Sequence, residues 1–118
     1  MPKILIVDDE RTTVKLLQTL LEMDGFEVFN AARGQEALEV AQRTPPDAFL
    51  IDYRLVDMTG LDLVAALRKQ PAFAQTPIVM ASGLDMEEQA LAAGANLFLI
   101  KPFEPNKLAD IFYDLLKK

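Results

Sequence analysis

Five polar residues in this chain each stand just past a short apolar run. Asp8 and Asp9 follow Ile4-Leu5-Ile6-Val7, and Asp52 follows Ala48-Phe49-Leu50-Ile51. Ser82 follows Ile78-Val79-Met80-Ala81, and Lys101 follows Leu97-Phe98-Leu99-Ile100. Carboxylates brought within a few ångströms of one another repel, and one is driven toward protonation unless a cation lies among them. Carboxylate, carbonyl and water are hard oxygen ligands that suit Mg2+, with Mn2+ able to substitute. Magnesium held by two or three acids keeps several waters, and those positions accept phosphate oxygens. A lysine opposite adds a positive point charge, and a serine adds a short hydrogen-bond donor. Such a set suits a phosphoryl group, and an aspartate at its centre can be the nucleophile that forms an aspartyl phosphate. Any one of these residues has a plainer reading, a polar strand end turning in water; the chemistry is carried by the set.

The elements that would bring them together are legible in the apolar pattern. The four runs of four apolar residues, rich in β-branched and aromatic side chains, predict strands covered on both faces. Glu27-Val28-Phe29-Asn30-Ala31 alternates more and predicts a less buried edge strand. Between the strands lie helical spacings: Val14, Leu17 and Leu21, then Ala37, Leu38 and Ala41, then Leu61, Val64 and Ala65. Asp85 with Glu88 predicts a capping box opening a fourth helix, and Gly94 can close it. Leu108, Ile111, Phe112 and Leu115 mark a last helix, with Pro105 suited to its first turn. Strands alternating with helices imply an α/β fold, a doubly wound (βα)5 parallel sheet. Right-handed crossovers leave few topologies, and the flavodoxin-like strand order 2-1-3-4-5 leads among them. In such sheets ligands bind beyond the carboxyl ends of the strands, which is where all five polar residues fall.

Composition narrows the chemistry further. The chain has 118 residues, no cysteine and no histidine. Disulfides, iron–sulfur clusters, Cys-based zinc sites and every Ser–His–Asp or Cys–His catalytic arrangement are therefore excluded. A net charge of −6 argues against direct nucleic-acid binding. No apolar run approaches the roughly 20 residues that span a bilayer. The expectation is a cytoplasmic protein with one domain over residues 1–118 and no membrane partner.

At this point the residues resemble a known family, the receiver domain of two-component response regulators, of the kind found in the single-domain chemotaxis regulator. The stretches that carry the resemblance are ILIVDDE, LIDYRLVDMTGLDL, PIVMASG and LFLIKPFEP, in this order. Asp52 precedes Ser82 by 30 residues and Lys101 by 49, as the family's spacing requires. The resemblance implies that Asp52 is the phospho-acceptor. It implies that Asp8, Asp9 and Asp52, with the backbone carbonyl of Arg54, hold Mg2+. It implies further that Lys101 and Ser82 contact the phosphoryl group, that Phe98 stands at an aromatic switch position, and that Lys101-Pro102 is a cis peptide. The partners implied are a sensor histidine kinase or phosphotransfer protein upstream, and an output domain or target protein downstream. The face of the fourth helix, fifth strand and fifth helix is the implied docking surface and a route to a homodimer. The chain would not be an enzyme, beyond assisting its own phosphorylation and dephosphorylation.

Several positions depart from the family's commoner pattern. Val56 stands where many members have proline, Gly83 replaces alanine after the hydroxyl residue, and Phe98 lacks the hydroxyl a tyrosine would bring. Arg54 and Leu84, two residues past Asp52 and Ser82, are positions that in the family tune phosphate lifetime. Glu10 is expected to open the first helix, Gly60 to serve a turn needing positive φ, and Asp57 and Asp62 to be solvated. Two other functions compete. A haloacid-dehalogenase-like phosphatase also uses an aspartate, Mg2+ and a lysine, but has a second aspartate two residues after the nucleophile, where this chain has Glu10 after Asp8. A pseudo-receiver would only dock partners, and the intact set of acids, hydroxyl and lysine argues against it. A flavin-binding module would need a hydroxyl- and glycine-rich loop after the first strand, where Asp8-Asp9-Glu10-Arg11 stands instead.

Overall fold

A computed structural model of the chain describes residues 1–117. Strands β1 (Lys3–Val7), β2 (Glu27–Ala31), β3 (Ala48–Asp52), β4 (Ile78–Ser82) and β5 (Leu97–Ile100) form one parallel sheet in the order β2-β1-β3-β4-β5. They alternate with helices α1 (Arg11–Met23), α2 (Gly34–Arg43), α3 (Gly60–Arg68), α4 (Glu87–Ala93) and α5 (Leu108–Leu116). The expected topology is the observed one.

The helices cover both faces, as continuous apolar strands require. On one face Ile4, Ile6, Leu50 and Val79 meet Leu17 and Leu21 of α1 and Leu108 and Phe112 of α5. On the other, Leu5, Val7, Phe49, Ile51 and Met80 meet Ala37 and Ala41 of α2, Leu63 and Leu67 of α3, and Ala90 of α4. Each fully buried leucine or phenylalanine here contributes roughly 1.5–3 kcal/mol of transfer free energy. No helix among the described residues is long and apolar enough to cross a membrane.

Helix ends correct four local expectations. Glu10 caps α1 by accepting from the backbone N–H of Thr12 and Thr13, as its position suggested. The capping box expected at Asp85 and Glu88 does not form; α4 begins at Glu87, whose N–H donates to Asp85 Oδ1 at 3.4 Å, and Met86 at the N-cap makes no side-chain bond. The capping box is instead at α3, where Thr59 and Asp62 bond each other's backbone N–H groups, so Asp62 is not simply solvated. Pro105 opens a separate 3-10 turn (Pro105–Lys107) before α5 rather than α5 itself. Gly60 does not adopt positive φ, which among the described residues is confined to Gly25 and Gly94. What Gly60 supplies is space, since a Cβ there would lie 2.5 Å from the Asp52 carbonyl oxygen.

Candidate functional site

The sheet register brings the polar residues to one rim. Val7 on β1 pairs with Ile51 on β3, so Asp8 and Asp52 follow side by side on adjacent strands. Asp52 pairs with Ala81 on β4, and Ser82 pairs with Ile100 on β5. The ladder runs one residue further at the last strand, where the N–H of Lys101 donates to the Ser82 carbonyl at 2.8 Å. Lys101 then reaches back across β4 to the middle of the rim.

Its ammonium sits 2.6 Å from Asp52 Oδ1 and 3.6 Å from Asp8 Oδ2. One cation is thus shared by two acids from different strands. Asp8 is 8% exposed, and Asp8 Oδ1 also accepts from the N–H of Glu10 at 2.9 Å. Burial pushes the Asp8 carboxyl above its ordinary value; the Glu10 N–H opposes this, the charge of Asp52 adds to it, Lys101 opposes it, and Asp9 adds again. For Lys101, burial alone would lower the pKa, but the hydrogen bond and charge of Asp52, with Asp8 behind, outweigh it and raise it. The rim is therefore a place where negative charge is crowded and a cation is held tightly.

Asp9 behaves differently. It is exposed, and among the described residues no three acids lie close enough together to hold a metal ion by themselves. The expected three-carboxylate cluster is in this structure a pair, Asp8 and Asp52, bridged by Lys101, with Asp9 at the margin. Beside the pair runs the loop from β3 to α3. Asp52 Oδ2 accepts from the N–H of Arg54 at 3.2 Å. An isolated antiparallel bridge joins Arg54 to Thr59, using the Tyr53 carbonyl and the Leu55 N–H. That leaves the Arg54 carbonyl outside the bridge.

The phosphoryl-sized space lies on the other side of Asp52. A cleft of ≈ 400 Å³ is lined by Asp52, Arg54, Ser82, Gly83, Leu84 and Lys101. Ser82 is 4% exposed, and its hydroxyl oxygen accepts from the Leu84 N–H at 3.0 Å. Its proton remains available to a new acceptor. Phe98 is buried in the core on the α2–α4 face, so its ring does not line this cleft. The Lys101–Pro102 peptide bond is cis.

Hard oxygens from two buried or half-buried acids, with a backbone carbonyl two residues past Asp52 left outside the bridge and an ammonium already drawn between the acids, fit a divalent cation in kind. The sequence did not point to Asp57, which lies in the same loop: its carboxylate accepts from the N–H of Gly34 and of Gln35 on α2, at 2.8 and 3.0 Å. No spacing signal announces a cap supplied from 23 residues away. The Thr59–Asp62 box, by contrast, has the usual three-residue spacing and could have been found.

Residues 4–113 match the family described as the response regulator receiver domain. The chain belongs to that family. As a receiver domain it is a signalling module of two-component systems. It is 36% identical over 111 residues to the phosphate regulon transcriptional regulatory protein PhoB of Rhizobium meliloti, covering 92% of this chain and 49% of that protein. It is 38% identical over 109 residues to the alkaline phosphatase synthesis transcriptional regulatory protein PhoP of Bacillus subtilis, covering 90% of this chain and 45% of that protein. The receiver thus spans about half the length of these curated relatives. Among solved structures, the chemotaxis response regulator CheY4 of Vibrio cholerae superposes with a TM-score of 0.91 at 34% identity, covering 98% of both chains. The receiver domain of Francisella response regulator 1452 superposes with a TM-score of 0.92 at 30% identity, covering 99% of this chain and 98% of that one.

Proposed function

We propose that this receiver, one domain over residues 1–118, accepts a phosphoryl group on Asp52 from the phosphohistidine of a sensor kinase or phosphotransfer protein. The observation that carries the reading is the Lys101 ammonium at 2.6 Å from Asp52 Oδ1, at the mouth of a cleft that Ser82 also lines. An Asp52 carboxylate oxygen attacks phosphorus, the new O–P bond forms, the P–N bond to the donor imidazole breaks, and the imidazole keeps the electron pair. Lys101 swings from the carboxylate onto a phosphoryl oxygen, and Ser82 donates its hydroxyl proton to another. Asp8, Asp9, Asp52 and the Arg54 carbonyl would hold Mg2+. The ion supplies charge neutralisation for the transferring oxygens. Arg54 and Leu84 flank the cleft and are placed to govern water access.

Phosphorylation adds about −1.5 to −2 charges to a rim already crowded with acid. Drawing Ser82 and Lys101 toward that charge pulls on the ends of β4 and β5. Leu84, Leu91 and Ile100 are exposed apolar side chains on or beside α4 and β5. A shift there, with Phe98 following, would alter affinity for an output domain, a target protein or a second copy of the chain. The phosphatase alternative is disfavoured by Glu10, whose carboxylate is occupied in capping α1.

The test is incubation with acetyl phosphate, with and without Mg2+, followed by intact mass. One phosphoryl gain is expected, dependent on Mg2+ and absent in Asp52→Asn. A gain that persists in that variant contradicts the site.

A further inference from the structure

The β3–α3 loop carries both Asp52 and the Arg54 carbonyl, yet its sequence, Arg54-Leu55-Val56-Asp57-Met58, contains no residue that fixes φ. The loop is held in two places. At its base, the Arg54–Thr59 bridge and the Gly60 N–H to Tyr53 carbonyl bond close it. At its apex, Asp57 accepts from the first two N–H groups of α2, those of Gly34 and Gln35. Arg33, which stands at the N-cap of that helix, makes no side-chain cap bond, so Asp57 serves as the cap from a distant segment. Met58 adds an apolar contact at the same point, because a Cβ on Gly34 would overlap its thioether.

We infer that Asp57 is a positioning residue for the metal site: its clamp on α2 fixes the loop apex and thereby holds the Arg54 carbonyl where a divalent cation between Asp8 and Asp52 can use it. This rests on the proposed function above. A rigid loop presents the carbonyl without an ordering cost when the ion binds, and a loosened loop must be ordered at that moment. Asp57 itself touches neither the ion nor the phosphoryl group. Its effect travels along the backbone through Val56 and Leu55.

The experiment measures the metal alone, by the electron paramagnetic resonance signal of free aquo-Mn2+ during titration of the protein. Asp57→Ala is expected to weaken Mn2+ binding by about tenfold, the lower end of what loss of an outer-shell partner costs. Asp57→Asn keeps one acceptor oxygen, and an intermediate loss is expected; it also serves if the alanine variant folds poorly. Tyr113→Phe is the control, since it removes a hydrogen bond from the Tyr113 hydroxyl to the Asp24 carbonyl, remote from the rim. It should lower Tm without changing Mn2+ affinity. If both Asp57 variants lower Tm but bind Mn2+ as the parent does, Asp57 is only a helix cap and the inference is overturned. Phosphoryl gain from acetyl phosphate is followed in parallel on the parent chain. Gain with unchanged metal affinity in the variants overturns this inference alone; no gain in the parent overturns the proposed function, and the inference with it.

Discussion

The two rims of the sheet solve opposite problems. At the carboxyl ends of the strands, Asp8, Asp52 and Lys101 crowd like charges around one ammonium, and Asp8 is held above its ordinary pKa mainly by burial. At the amino ends, Arg68 at the close of α3 donates to neutral oxygens only: the carbonyls of Gly94, Phe73 and Thr76 and the side-chain oxygen of Asn96, at 2.7–2.9 Å. Asn96 in turn accepts from the N–H of Ile78 at the start of β4. Each of the three guanidinium nitrogens of Arg68 finds an acceptor, and no like charges are opposed. One rim holds electrostatic conflict that a ligand can resolve, while the other ties α3, α4, β4 and β5 together regardless of ligand. The lesson is that polar groups of similar burial serve chemistry where their charges conflict and serve the fold where they do not.

The contrast makes predictions that differ in sign between the rims. The largest effect is expected from Arg68→Ala, which strips three carbonyls of their donor and should cost about 2–3 kcal/mol in urea denaturation. The phosphorylation rate of the molecules that remain folded should not change; a slowed rate would mean that the rims are coupled. Next, Lys101→Met leaves Asp8 and Asp52 facing each other without a counter-ion. It should lower stability by about 1 kcal/mol, discounted for the partial exposure of the lysine, and slow phosphoryl gain by about 10²-fold. A stable variant with unchanged rate would remove Lys101 from the site.

Asp8→Asn should act the other way, raising Tm of the metal-free chain by about 3–6 °C at neutral pH. The sign follows from linkage. A group whose folded pKa is raised favours the fold fully below its ordinary value of 3.8, and that contribution is lost as pH rises through the raised value. At neutral pH Asp8 therefore works against folding, and the gain from Asp8→Asn should vanish in acid. The smallest effect concerns the caps. Glu10 is held below its ordinary 4.5 by Thr13 and the first-turn N–H groups, and Asp57 below 3.8 by the N–H groups of Gln35 and Gly34. Their contributions are present above those values and disappear as pH falls through the lowered ones. Thermal melts of Asp57→Ala should accordingly lie below those of the parent at neutral pH and converge with them at low pH, a difference opposite in sign to that of Asp8→Asn.

The strand order and the site rim were legible because both depend on short periodic signals. Four apolar runs each ended in a polar residue, and a parallel sheet places such residues at one edge. What was not legible depended on contacts between segments far apart in sequence. Asp57 reads as a loop acid until α2 is seen beneath it. Arg68 reads as a helix-ending cation until four neutral acceptors are seen around it. Gly60 reads as a turn glycine, and only the Asp52 carbonyl beside it reveals a need for space rather than for positive φ. The acidic cluster illustrates the same limit, because adjacency of Asp8 and Asp9 in sequence does not give them equal burial.

The most direct measurement is the location of the phosphoryl group itself. Borohydride reduction of the chain after acetyl phosphate treatment converts an aspartyl phosphate to homoserine, which peptide mass spectrometry can place. The account predicts homoserine at position 52, formed only with Mg2+ present. Homoserine at Asp8, Asp9 or elsewhere, or none after full exposure to donor and metal, would contradict it.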